Sequence, residues 1–152
     1  MRLEDEIQQK TFKSEHQKAV INLLYTSGFL VNLFNEKSKV FDITRQQYNV
    51  LRILRGQHPK SASINLIKDR MLDKMSDASR IVERLRNKNL VERKISDNDK
   101  RAVDITITDK GLKLLSDMEP AIDTIDSIFN KFSKHELETL NALLDKTRDS
   151  KS

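Results

Sequence analysis

The chain has 152 residues, enough for one domain with its own core and short of two ordinary ones. Its 28 Lys and Arg against 23 Asp and Glu leave a net charge of +5, which leans toward a polyanionic partner. Cysteine is absent, which excludes disulfides, thiolate metal sites and thiol redox switching. No basic-apolar leader and no apolar run of roughly 18 residues is present, so neither export nor a membrane span is expected and a cytoplasmic protein fits. With 3 Gly and 2 Pro in the whole chain, helices must dominate.

From Glu4 to Asn35, apolar residues such as Ile7, Phe12, Val20, Leu24, Val31 and Phe34 recur at spacings of three, four and seven, which predicts one long helix with a bend point at Gly28. Thr44-Arg45-Gln46-Gln47 is a capping box, with Ile43 and Tyr48 as its hydrophobic staple, and it opens a helix that must stop by Gln57, ahead of Pro59. Ile64, Leu66, Ile67 and Met71 suit a short helix between Ser61 and Met71, with a turn at Asp73-Lys74.

The next helix, about Ser76 to Lys88, buries Ala78, Ile81, Val82 and Leu85 and turns Asp77, Arg80, Glu83, Arg84 and Asn87 outward, with Arg80, Arg84 and Lys88 on one stripe. Two short helices joined by a tight turn form a helix-turn-helix candidate, and Asn89 stands where a left-handed cap ends the second. After Leu90 the period changes to two. Val91, Arg93 and Ile95 alternate on one strand and Val103, Ile105 and Ile107 on another, which predicts a hairpin with a long polar tip. Thr108-Asp109 starts a further helix running to Phe132, with Pro120 as a kink or break, and Ser133-Lys134-His135-Glu136 is a second capping box opening the last helix. The segment from Arg148 onward is expected to fray.

The fold class is therefore mainly α with a small β-hairpin wing. A recognition helix works through the outward face of its first two turns, here Ser76, Asp77, Ser79 and Arg80, with Arg84 one turn later. Arg80 is the candidate for a base edge, because a guanidinium forks onto both acceptors of guanine. Ser76, Ser79, Arg84 and Arg86 suit phosphate contacts, which set register without reading sequence. At the hairpin tip Arg101 can enter a minor groove while Asp99 braces the turn, and Lys94 and Lys100 add phosphate attraction. A basic helix by itself is more often a solvated face, and Asp-x-Arg alone is more often a surface ion pair. The two features in sequence are what carry the reading.

Ser79-Arg80-Ile81-Val82-Glu83-Arg84-Leu85, Lys88-Asn89-Leu90-Val91-Glu92-Arg93, Asp99-Lys100-Arg101 and Ile107-Thr108-Asp109-Lys110-Gly111 together resemble the MarR family of bacterial transcriptional regulators. The similarity is strongest from Thr44 to Leu115. It implies one chain-length unit with a winged-helix lobe at about 42–110 flanked by dimerisation helices at about 1–36 and 111–148. It also implies a homodimer on double-stranded DNA with a pseudo-palindromic operator, Arg80 and its neighbours in the groove and Arg101, braced by Asp99, in the minor groove. Asn89 departs from the family's common Gly, and Ser96 departs from the Asp that opens many wing loops.

An apolar surplus on the segment from Asp109 to Phe132 is consistent with a two-fold partner. The resemblance further implies an effector pocket between the lobes for a small amphipathic or aromatic ligand, for which His16, Tyr25, Phe29, Tyr48 and Arg52 are the candidates. His16, His58 and His135 show no metal-ligand spacing, and no phosphate loop, nucleophile elbow or other catalytic motif is present, so no metal, cofactor or enzymatic activity is expected. The combined reading is a homodimeric repressor released from its operator by a small molecule. The alternative is a winged-helix protein-protein interaction module without an operator.

Overall fold

The structure, a computed structural model, describes residues 1–149. The elements in chain order are α1 (Leu3–Glu6), α2 (Glu15–Ser38), α3 (Arg45–Gln57), β1 (Ala62–Ser63), α4 (Ile64–Arg70), α5 (Ala78–Asn87), β2 (Val91–Ile95), β3 (Val103–Ile107), α6 (Asp109–Asp126) and α7 (Lys134–Arg148). Short 3-10 turns at Lys39–Phe41 and Ser127–Phe129 end α2 and α6. The expected fray at Arg148 falls at the helix end, and residues 150–152 lie outside the described residues.

The core gathers one apolar face from each element of the central lobe. Val50, Leu51 and Leu54 of α3 meet Ile67 of α4, Val82 and Leu85 of α5, Val91 of β2, Ile105 and Ile107 of β3, and Leu115 and Met118 of α6. These spacings of three and four on helices and two on strands are what place them inward together. The three antiparallel strands lie in the order β1-β3-β2, with Ala62 opposite Ile105 and Val91 opposite Ile107. The strand β1 was not expected, since two residues carry no period and pair only because β3 is already present to receive them.

The single long N-terminal helix is corrected to two. Gln8 takes a left-handed φ of 52°, and the chain restarts at Ser14, whose hydroxyl accepts the Gln17 N–H at 3.2 Å while the Gln17 side chain accepts the Lys13 N–H at 2.8 Å. Gly28 lies inside α2, which is a continuous helix from Glu15 to Ser38. The expected helix from Asp109 to Phe132 ends at Asp126, yet α6 runs through Pro120 without a break in its assignment. Met118 and Ile122 on either side of the proline are packed in the core, which holds that turn in place. Both capping boxes form as read, Thr44 with Gln47 and Ser133 with Glu136.

The flanking helices bury little. Only Phe34 and Ser38 of the 24 residues of α2 are buried, and none of α7 is. Leu24 and Phe29 on α2 are 69% and 52% exposed, and Leu143 on α7 is also exposed. A trough of about 620 Å³, lined by Leu23, Leu30, Phe129, Leu140 and Leu144 among others, runs between α2 and the C-terminal helices.

Candidate nucleic-acid interface

Asp77 is the N-cap of α5, not an outward helical residue, and its Oδ1 accepts the Arg80 N–H at 3.1 Å. That bond satisfies one of the orphan donors at the helix start. Burial of Ala78, Val82 and Leu85 then fixes the rotation of α5 and leaves Ser79, Arg80 and Arg84 facing solvent. Neither Arg80 nor Arg84 has a carboxylate within ion-pair distance among the described residues. Arg86 differs, because it pairs with Glu83 at 3.2 Å while Arg93 on β2 reaches the other Glu83 oxygen at 3.8 Å. Arg86 thus faces the wing side of the helix with part of its charge already answered.

The C-terminal end of α5 closes by a left-handed residue, as the sequence suggests. Asn89 has φ 59°, its N–H donates to the Arg86 carbonyl at 2.9 Å, and the Leu90 N–H donates to the Leu85 carbonyl at 3.0 Å. This double bond pattern is a Schellman motif. Lys88 does not join the Arg80–Arg84 stripe. Its ammonium donates to the Asp42 carbonyl and lies 3.6 Å from the Asp42 carboxylate, while Lys110 donates to the Lys88 carbonyl at 3.0 Å. The tail of α5 is therefore tied to the end of α2 and the start of α6.

A cleft of about 350 Å³ lies between the start of α3 and the exposed side of α5, lined by Thr44, Gln46, Ser76, Arg80 and Arg84 among others. Arg45 and Gln46, not among the expected interface residues, form the first turn of α3 next to this cleft. Their signal was present: they follow the capping Thr44 directly, at a helix start whose dipole favours a phosphate. Ser76 precedes the α5 cap, and its N–H donates to the Asp73 carbonyl at 3.3 Å.

The wing is a regular antiparallel hairpin with Ile95 opposite Val103. Ser96 is buried at its tip: its N–H donates to the Ala102 carbonyl at 3.0 Å and its hydroxyl accepts the Asn98 N–H at 3.3 Å. The serine thus turns the loop by a hydroxyl where an Asp was expected by resemblance. Asp99 braces the tip twice, its carbonyl accepting the Ala102 N–H at 2.9 Å and its Oδ1 accepting the Arg101 N–H at 2.9 Å. The brace runs to the Arg101 backbone, so the guanidinium is exposed beside Lys100 with no carboxylate partner among the described residues, and Lys94 is exposed on β2.

The five effector candidates are not gathered at one point. Tyr48 and Arg52 meet, with the guanidinium 5.9 Å from the ring centroid, and Phe34 lies 5.2 Å from the same ring. Burial raises the Tyr48 phenol above its ordinary range, against the pull of Arg52 and Arg55. Tyr25 instead donates to Glu6 Oε2 at 2.7 Å, and that bond to a carboxylate raises its pKa. Phe29 and His16 are exposed on α2.

A helix-turn-helix with free arginines on its second helix, followed by a braced basic wing, defines a winged-helix DNA-binding protein. The family model described as MarR family matches residues 41–102, which span the lobe from the end of α2 to the wing tip. The chain is 30% identical over 125 residues to the HTH-type transcriptional regulator MgrA of Staphylococcus aureus, across 81% of this chain and 83% of MgrA. It is 31% identical to a MarR transcription factor from Planctomyces limnophilus, with a TM-score of 0.67 over 89% of this chain and 98% of that one. BpsR of Bordetella bronchiseptica, 24% identical, shares the fold at a TM-score of 0.72 over 87% of this chain and 99% of that one. The chain belongs to the MarR family of winged-helix transcriptional regulators, a family of DNA-binding proteins and not of enzymes.

Proposed function

We propose that this protein is a homodimeric repressor that binds a pseudo-palindromic operator and leaves it when a small amphipathic or aromatic molecule binds between its lobes. The observation that carries the DNA-binding surface is the pair of unpaired arginines, Arg80 and Arg84, on the cleft-lining side of α5, together with the free Arg101 guanidinium at the braced wing tip. In this reading Arg80 reads a base edge, Arg84, Ser76 and Ser79 hold phosphates with Lys94 and Lys100, and Arg101 enters the minor groove. Arg86, paired with Glu83, is the weaker phosphate contact of the set.

Support for the dimer is the apolar surface left on α2 and α7, which the subunit's own core does not use. Residues 1–36 and 111–148 would supply that interface, and residues 42–110 the DNA-binding lobe, in a cytoplasmic protein. No helix of the described residues is long and apolar enough to cross a membrane.

Release follows from coupling. The ties Lys88–Asp42 and Lys110–Lys88 join the end of the recognition helix to α2 and α6, so a shift of those helices moves α5 and changes the spacing of the two recognition helices. The Phe34–Tyr48–Arg52 cluster offers aromatic surface and a cation to an organic acid, while Tyr25, Phe29 and His16 lie apart from it on α2. DNA binding by BpsR, which has the same fold, is regulated by 6-hydroxynicotinic acid.

Selection of bound fragments from the host genome, followed by light scattering of the complex, tests the proposal. Enriched two-fold symmetric sites occupied by two chains support it. Binding without sequence enrichment rejects the operator in favour of the assembly-module reading, and a monomer on an enriched site rejects the dimer.

A further inference from the structure

We propose that Met75, in the turn between α4 and α5, reads the 5-methyl group of a thymine, adding an apolar sequence contact ahead of the recognition helix. Met75 is 94% exposed and Leu72, on the same turn, is 79% exposed, although both are large apolar residues within a few positions of the lobe's core. A methionine this bare contributes nothing to folding, and its unbranched thioether adapts to irregular apolar surfaces.

The turn that presents it is pinned at three points. The Leu72 N–H donates to Asn49 Oδ1 of α3 at 2.9 Å, the Met75 N–H to Asp73 Oδ1 at 3.1 Å, and the Ser76 N–H to the Asp73 carbonyl at 3.3 Å. Lys74 closes the turn further by donating to the Asp69 carbonyl. The exposure is therefore built into a fixed turn.

Position decides the occupant. Met75 stands two residues before the Asp77 cap, at the end of α5 that enters a major groove in the proposed reading; Arg70, Lys74 and Arg80 are exposed along the same stretch beside Asp69, while Asp73 and Asp77 each turn a carboxylate oxygen to a backbone amide. An apolar side chain at that end of the helix meets base edges, and the apolar group that the major groove offers is the thymine methyl. A protein partner is the competing occupant. The inference rests on α5 being the DNA-reading helix.

The test uses the full-length protein and a duplex carrying its selected binding sequence. Each thymine is replaced in turn by deoxyuridine, which removes the methyl alone, and affinity is measured for wild type, Met75→Ala and Arg80→Ala. Wild type should lose about fourfold per methyl at one thymine of the site, and Met75→Ala should bind thymine and deoxyuridine there alike. Equal sensitivity of wild type and Met75→Ala at every position, with Arg80→Ala weakened, overturns the Met75 contact alone and leaves this turn to a protein partner. Arg80→Ala binding as wild type does overturns the helix reading and the Met75 contact with it. Because Met75 is so exposed, its truncation leaves the melting temperature unchanged, which separates lost contact from lost fold.

Discussion

Asp99 Oδ1 accepts the backbone N–H of Arg101 at 2.9 Å, so the acidic residue of the wing tip shapes the loop without neutralising the arginine it serves. Removing a negative charge from a DNA-facing loop strengthens DNA binding if charge alone matters. Asp99→Ala should do the opposite. Losing the brace frees the tip, at a cost of about 1 kcal/mol or roughly fivefold in affinity. Titration of a bound duplex with Asp99→Ala and Asp99→Asn reads the sign directly, and tighter binding by Asp99→Ala contradicts the bracing role.

The cap at Asp77 sets the start of the recognition helix. Asp77→Ala should destabilise the fold by about 1 kcal/mol, and Asp77→Ser should restore most of it, because a hydroxyl also accepts the N3 amide. Denaturant unfolding of the two variants checks this. Equal stability of both with wild type shows that the cap is idle.

Gly111 lies where the base of the wing meets α6. A Cβ there would run into the Leu90 carbonyl oxygen and come within 2.7 Å of Ile107 Cγ1, and the backbone on the first contact has no room to yield. Gly111→Ala should therefore cost about 1–3 kcal/mol by overpacking. Asn89 is the contrasting case: its left-handed φ of 59° should accept glycine with no loss, whereas Asn89→Val should cost about 1–2 kcal/mol. Thermal melts of the three variants rank the effects.

Acid should release the N-terminal turn before the lobe unfolds. Lys18 donates to Glu4 Oε1 at 2.6 Å and, with the helix-start amide and Arg2, holds the Glu4 carboxyl at about 2, below its ordinary 4.5. The contribution of this contact is fully present above pH 4.5 and is lost as pH falls through about 2. The protection factors of the Asp5 to Ile7 amides, exchange rates corrected for their intrinsic pH dependence, should fall across that window in wild type, and Glu4→Gln should show low protection already at neutral pH. A flat profile in wild type contradicts the link.

Much of this architecture is local and was therefore readable. The Thr44 and Ser133 capping boxes, the Asn89 cap and the alternation of Val103, Ile105 and Ile107 each express a geometry spanning only a few residues. What was misread depends on distant partners. The strand β1 exists only through β3, and Lys88 leaves its helical stripe because Asp42, 46 positions earlier, receives it. The break before α2 is a different case. Ser14 and Gln17 carry its capping signal, but apolar spacing continued across it and outweighed two polar residues. In the candidate interface, Arg80, Arg84 and Arg101 are exposed with no carboxylate partner among the described residues, while Arg86 is paired and Asp77 serves as a cap.

The most direct measurement is DNA affinity as a function of salt for wild type, Arg80→Ala and Arg84→Ala on one selected duplex. The wild-type logarithmic slope should be steep, and Arg84→Ala should reduce it by about 1 while weakening all sequences alike. Arg80→Ala should cost about 1–3 kcal/mol and relax preference at one base pair. Absence of binding at low salt, or variants that bind as wild type does, contradicts the assignment of this helix to DNA.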